Sequence, residues 1–276
     1  MYSGGMAGPR AKKSLGQNFL TSPSVAKDIV NAAELRPGEV VVEIGPGKGA
    51  LTNHLLAQDT RVIAIEKDER LIPILSQRFA REISAGRLSL VPGDIAQMQT
   101  WQNVVRKHRL AEGGFAVVAN IPYYITGMLF RLFLESGPQP RTLVFLVQKE
   151  VAQNAVARRG KESILSLSLR AYGTPKLIRI VGRKFFSPQP KVDSAVLAVK
   201  NISRARFPTR ASERRFFEVI HAGFSAKRKI LANNLVRGLG REKRDVERLL
   251  ASLSLPLSVR AEDVGIDDWI RISSLL

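Results

Sequence analysis

Cysteine is absent from this 276-residue chain and histidine occurs three times, which excludes disulfides and thiolate metal sites and leaves little for a clustered histidine site. No metal is expected. Long apolar runs are missing as well. "TLVFLV" and "FAVVAN" fall well short of the ~20 residues that span a bilayer, so neither a transmembrane helix nor a membrane partner is expected. The amino-terminal stretch "MYSGGMAGPRAKKS" has no apolar signal core and is too short and glycine-rich for an amphipathic transit peptide. Its second methionine, Met6, suggests an alternative start. Acidic residues are few, 24 against 43 Lys and Arg, and the resulting charge of +19 attracts polyanions and makes nucleic acid the leading partner, with an acidic membrane surface the lesser reading.

What is present is enough for a sizeable core, since 45% of the residues are hydrophobic. Between residues 38 and 150, five short β-branched or apolar runs alternate with longer amphipathic stretches: "EVVVEIG", "RVIAIEK", "RLSLVPG", "FAVVAN" and "TLVFLVQ". Near-continuous hydrophobicity in several of them fits strands covered on both faces, and the alternation predicts a doubly wound α/β sheet. Two further strands are expected in "PKLIRIVGRKFF" and "VDSAVLAVK", joined by the proline-punctuated "SPQPK". From about Pro208 the apolar spacing becomes helical, with Phe216, Phe217, Ile220 and Phe224 followed by Ile230, Leu231 and Leu235. The expected division is an α/β domain over 1–205 and a small helical domain over 206–276. Residues 200–250 hold 14 Lys or Arg against five Asp or Glu, with Lys227, Arg228 and Lys229 as candidate phosphate contacts on a helix.

"VVVEIGPGKGALTNHLL" reads as a strand, a glycine-rich turn and the start of a helix. Gly45, Gly47 and Gly49 permit a tight turn and close approach of a nucleotide-type cofactor. Gly45, Gly47 and Ala50 also satisfy the dinucleotide fingerprint, and Glu66, 21 residues after Gly45, stands where an acid grips a ribose, so the turn alone does not separate NAD from S-adenosylmethionine. Glu43 and Asp94, the latter in "GDI", add acids around the ligand, and an acid-lined pocket suits a sulfonium cation better than a diphosphate.

The run "VANIPYYIT" ends a buried strand on an amide, a proline and two aromatic rings. An adenine amino nitrogen is a poor nucleophile because its lone pair is delocalised into the ring. If the Asn120 oxygen and the Ile121 carbonyl accept its two hydrogens, the nitrogen pyramidalises and its lone pair faces a methyl donor. Tyr123 would stack on the base, and Pro122 would fix the backbone. No strong general base is needed, because the amine becomes far more acidic once alkylated.

These segments resemble the KsgA/Dim family of small-subunit ribosomal RNA adenine dimethyltransferases over nearly the whole chain. The matching pieces are "LGQNFL" at 15–20, "EIGPGKGALT" at 43–52, Glu66, "GDI" at 93–95, "NIPYYIT" at 120–126, "QKEVA" at 148–152, "FSPQPKVDSAV" at 186–196 and "FSAKRKILANNL" at 224–235. The resemblance implies a Rossmann-like S-adenosylmethionine-dependent methyltransferase sheet, so that the domain over 1–205 is the catalytic one, with an N-terminal cofactor-binding segment, and the helical domain over 206–276 binds RNA. Asn18 and Leu20 would line the methionine side of the cofactor, with Gly45 at the turn, Glu66 on the ribose, Asp94 on the adenine and Asn120 beside it. Asn120 and Tyr123 would be catalytic, together with Phe186 stacked on the other face of the target base, although adjacent Phe185 remains an alternative. The implied substrate is a pair of adjacent adenines near the 3′ end of 16S rRNA, within a small-subunit assembly particle, methylated by a monomer in a bacterial cytoplasm. Three other classes stay open: a large-subunit enzyme of the resistance type, a non-catalytic RNA-binding assembly factor, and an NAD-dependent oxidoreductase. The assembly factor leaves Asn120 and Tyr123 unexplained, and the oxidoreductase lacks a histidine in the crevice segments.

Overall fold

The computed structural model describes residues 9–276 apart from Arg159 and Lys227, so Met6 and Lys227 lie outside the described residues. The chain divides into two units, one made by the chain up to Ala152 with Lys176–Ile202, the other by Gln153–Pro175 with Ser203–Leu276. The division differs from the expected one: it falls at 202/203, and residues 153–175 group with the C-terminal helices. The reason is the helix Ile164–Tyr172. Its Tyr172 hydroxyl donates to Glu213 at 2.6 Å and its ring stacks on Phe217, contacts far along the chain that local patterning does not encode.

Nine strands are described: β1 (Phe19–Leu20), β2 (Val40–Ile44), β3 (Arg61–Glu66), β4 (Leu88–Pro92), β5 (Phe115–Asn120), β6 (Thr142–Gln148), β7 (Thr174–Val181), β8 (Phe186–Ser187) and β9 (Ser194–Lys200). Seven of them form one sheet in the order β4-β3-β2-β5-β6-β9-β7. From β4 to β6 all neighbours are parallel, and β9 runs antiparallel to β6. The central strands are buried on both faces, which is why their sequences read as unbroken apolar runs. Edge strand β7 instead alternates, leaving Ile178 and Ile180 exposed.

The chain enters the sheet at β2, builds outward through β3 and β4, then returns to lay β5 on the other side of β2. That reversal opens a crevice beyond the carboxyl ends of β2 and β5, the place where such sheets bind ligands. The turn after β2 passes through Gly45, Gly47 and Gly49, all at positive φ, and delivers the helix Ala50–Leu56. β1 and β8 make a separate antiparallel ribbon that pairs Phe19 with Ser187 and Leu20 with Phe186.

In the second unit the helices Arg210–Gly223 and Leu231–Leu239 pack closely, since a Cβ on Gly238 would stand 2.7 Å from that of Ala222. Buried Asn234 donates to the carbonyls of Gly223 and Ala226, satisfying the end of the first helix. Arg228 and Lys229 occupy the connection between these helices and are exposed, so they are loop residues and not, as expected, part of a helix. Arg214, Arg237 and Arg244 are also exposed and form no ion pair among the described residues.

Gly49 shows how tightly the turn is built. Its φ is +81°, and a Cβ there would lie 2.6 Å from Cε2 of Phe79. Gly49→Ala should therefore lower stability by ~1–3 kcal/mol through strain and overpacking. The measurement is the denaturant midpoint, and a wild-type midpoint would contradict this reading of the turn.

Candidate active site

A cavity of about 370 Å³ lies at the crevice, within the size range of small-molecule sites. Its wall includes Asn18, Leu20, Gly45, Glu66, Asp94, Asn120 and Tyr123, so the structure brings together every expected site residue except Phe186. Phe186 is 4% exposed and packs in the core opposite Leu20, and the neighbouring wall position is taken by Ser187. The Phe186 ring packs in the ribbon and lies outside the cavity wall. Phe185 is partly buried against the same core, with the Lys184 ammonium 5.4 Å from its ring centre.

The acids sort by environment. Glu66 is buried, and its two oxygens accept the amides of Gly47 at 3.0 Å and Asp68 at 2.8 Å. Burial raises its pKa while those amides work in the opposite direction. Each oxygen keeps a lone pair for a further donor. Asp94 accepts the Ala96 amide at 2.9 Å and pairs with Lys67 at 2.7 Å. Glu43 is fully buried, its Oε2 accepts the Thr52 hydroxyl at 2.7 Å, and its Oε1 has no partner among the described residues. Burial pushes its pKa up to about 8, so near neutral pH it is a protonated acid tying β2 to the helix Ala50–Leu56. The expectation of an acid-lined pocket is corrected accordingly: Glu43 brings no charge, and Asp94 is already neutralised by Lys67.

A different observation separates the two cofactor classes. In a dinucleotide site the glycine amides and the bare glycine face meet a pyrophosphate. Here the Gly47 amide is given to Glu66, and the space beside its α-carbon is filled by Phe19, whose Cδ1 would stand 3.1 Å from a Cβ. The turn has no room or free donor at Gly47 for a diphosphate.

Asn120 ends β5, and its side-chain Nδ2 donates to the Asn18 carbonyl at 3.1 Å. No described residue donates to its Oδ1, which is left as an acceptor at the cavity wall. Tyr123 opens a 3-10 turn over Tyr123–Ile125, and its hydroxyl shares a 2.8 Å hydrogen bond with the fully buried Ser194 of β9. Burial raises the Tyr123 pKa, so the phenol stays protonated. The segment carrying Asn18 is pinned in turn by Gln17, which donates to Asp68 at 2.9 Å, and Arg70 holds that carboxyl low, at about 2. Sequence reasoning missed Gln17, Phe19, Lys67 and Ser194. Gln17, Phe19 and Ser194 lie inside segments quoted above, but Gln17, Lys67 and Ser194 act through partners distant in sequence.

The fold is the Rossmann-like one of S-adenosylmethionine-dependent methyltransferases. It is shared with a dimethyladenosine transferase from Plasmodium falciparum at a TM-score of 0.77 and 23% identity, covering 92% of this chain and 95% of that one. The 23S rRNA methyltransferase ErmE gives a TM-score of 0.72 at 26% identity, covering 94% of this chain and 99% of that one. The family described as Ribosomal RNA adenine dimethylase matches residues 8–276, and the chain belongs to that family. A relative from Dehalococcoides mccartyi, Ribosomal RNA small subunit methyltransferase A, is 40% identical over 265 residues, 94% of this chain and 86% of its own length.

Glu43 makes the pH dependence of stability testable. Its carboxyl titrates near 4.5 when unfolded and near 8 when folded, so between those values the folded state holds the extra proton. Its stabilising contribution is complete below about pH 4.5 and is lost as pH rises towards about 8. Glu43→Gln, neutral throughout, should flatten the decline in unfolding free energy between about pH 5 and about pH 8, by an amount on the order of a few kcal/mol. Parallel wild-type and variant curves would show that Glu43 ionises normally.

Proposed function

We propose that this protein transfers methyl groups from S-adenosylmethionine to the N6 amines of two adjacent adenines near the 3′ end of 16S rRNA, within a small-subunit assembly particle. The products are N6,N6-dimethyladenosines. The observation that carries the reading is the anchored pair at the cavity wall: Asn120, with its amide nitrogen spent on Asn18, and Tyr123, with its hydroxyl spent on Ser194. Bound in the cavity, the cofactor supplies an electrophilic methyl on a sulfonium.

Glu66 would take the ribose hydroxyls on its remaining lone pairs, beside Gly45. Asn18 and Leu20 would flank the methionine part. Asp94 would take the adenine amine in exchange for Lys67, at little cost, because a half-exposed ion pair is worth only ~0–1 kcal/mol. Asn120 Oδ1 and the Ile121 carbonyl accept the target amine's hydrogens and turn its lone pair towards the methyl. Tyr123 holds the base by its face. None of the three histidines lines the cavity, and the alkylated amine is acidic enough to lose its proton to water.

The small-subunit assignment draws on the relative at 40% identity, against 26% for ErmE. The exposed cations of the helical unit offer phosphate contacts. The relative is bacterial, and we place the reaction in a bacterial cytoplasm, carried out by a monomer.

The test is incubation of the protein with labelled S-adenosylmethionine and under-methylated small subunits, followed by nucleoside analysis. Dimethyladenosine at two adjacent positions is expected, and Asn120→Ala should slow its formation by about a hundredfold or more with RNA affinity nearly unchanged. A variant keeping more than half of wild-type turnover would remove Asn120 from the chemistry.

A further inference from the structure

Among the described residues every Phe, Trp and Tyr is buried or half-buried except Tyr124, which is 66% exposed. That ring stands at the cavity wall, in the same 3-10 turn as Tyr123. The turn is held by the Ile125 amide donating to the Pro122 carbonyl at 3.2 Å and the Thr126 hydroxyl donating to the Tyr123 carbonyl at 3.0 Å. One edge of the ring is braced. Gly16, at φ +61°, would place a Cβ 3.3 Å from Cε1 of Tyr124 and 3.4 Å from Cβ of Pro122, so the ring rests on a bare backbone. The Tyr124 hydroxyl has no hydrogen-bond partner among the described residues.

We propose that Tyr124 is a stacking platform for the nucleotide that adjoins the adenine held by Tyr123. The proposal rests on the functional reading above and deepens it by naming a second base subsite. A braced, solvent-facing ring next to a base-binding residue matches the way proteins hold unpaired bases, by π-faces and without reading their edges. The substrate presents two adjacent target adenines, so whichever occupies the cavity has the other beside it. Methyl groups on N6 lie in the plane of the base and leave its face clear. One platform therefore accepts the neighbour before or after its own methylation, and serves both rounds.

The experiment uses under-methylated small subunits carrying either both adenines or uracil in place of one, with wild-type protein, Tyr124→Ala and Tyr124→Phe. Wild-type kcat/KM on the remaining adenine should fall by about threefold when its neighbour becomes uracil, which stacks less well but still stacks. Tyr124→Ala should lose more, on the order of tenfold, on natural subunits and be indifferent to the uracil change, while Tyr124→Phe restores most of the loss. Affinity for S-adenosylmethionine without RNA, measured by calorimetry, should stay within about twofold in both variants. An alanine variant that feels the uracil as strongly as the wild type, or that binds cofactor poorly without RNA, overturns the platform. Absence of dimethyladenosine from wild-type protein on natural subunits is a different result: it overturns the underlying functional reading and the platform with it.

Discussion

One hydrogen bond, spanning 102 residues of chain, sets how Asn120 faces the cavity: its side-chain amide donates to the Asn18 carbonyl. A free asparagine amide presents donor or acceptor with a half-turn about one bond. Committing the nitrogen to a backbone carbonyl removes that choice and leaves the oxygen to face the cavity contents. The orientation is obtained before any ligand arrives, which is the condition under which a polar group contributes most to a transition state. The carbonyl is itself fixed, because Gln17 binds Asp68 and Asp68 donates its amide to Glu66, whose other oxygen holds the Gly47 amide. The N-terminal segment, the end of β3, the glycine turn and the end of β5 thus form one hydrogen-bonded wall.

Desolvation decides which acids in that wall carry charge. Glu43 lies deepest, has one donor and keeps its proton near neutral pH. Glu66 has two amide donors to offset its burial, and Asp94 reaches an exposed lysine. The carboxyl group therefore does three different jobs across one cavity. It ties a helix to a strand in the first case, sets the turn in the second, and stays exchangeable in the third.

The sheet was legible in the sequence because a strand buried on both faces is apolar along most of its length, and β2, β5 and β6 are, with Glu43, Asn120, Thr142 and Gln148 as the polar exceptions. Most of the site was legible for a related reason. Gly45, Glu66, Asp94, Asn120 and Tyr123 all lie at or just past the carboxyl ends of β2, β3, β4 and β5, where topology predicts a crevice. The burial of Phe186 was not legible, since which of two adjacent phenylalanines turns inward depends on the pairing of β8 with Leu20 across the ribbon. Ser194 and Gln17 went unseen because their importance lies wholly in a partner 71 or 51 residues away. The protonated state of Glu43 was hidden too: burial is a property of the packed fold, and charge counting along the chain treats every glutamate alike.

The central claim, an Asn120 amide set in place before ligand binding, is open to direct observation by nuclear magnetic resonance. Hydrogen exchange of the Asn120 side-chain amide should be measured in the protein alone, without cofactor or RNA. The account predicts exchange about tenfold or more slower than that of a solvated asparagine amide, with one of the two protons more protected than the other. Exchange of both protons at the solvated rate would mean that the amide is free to turn, and would contradict the account.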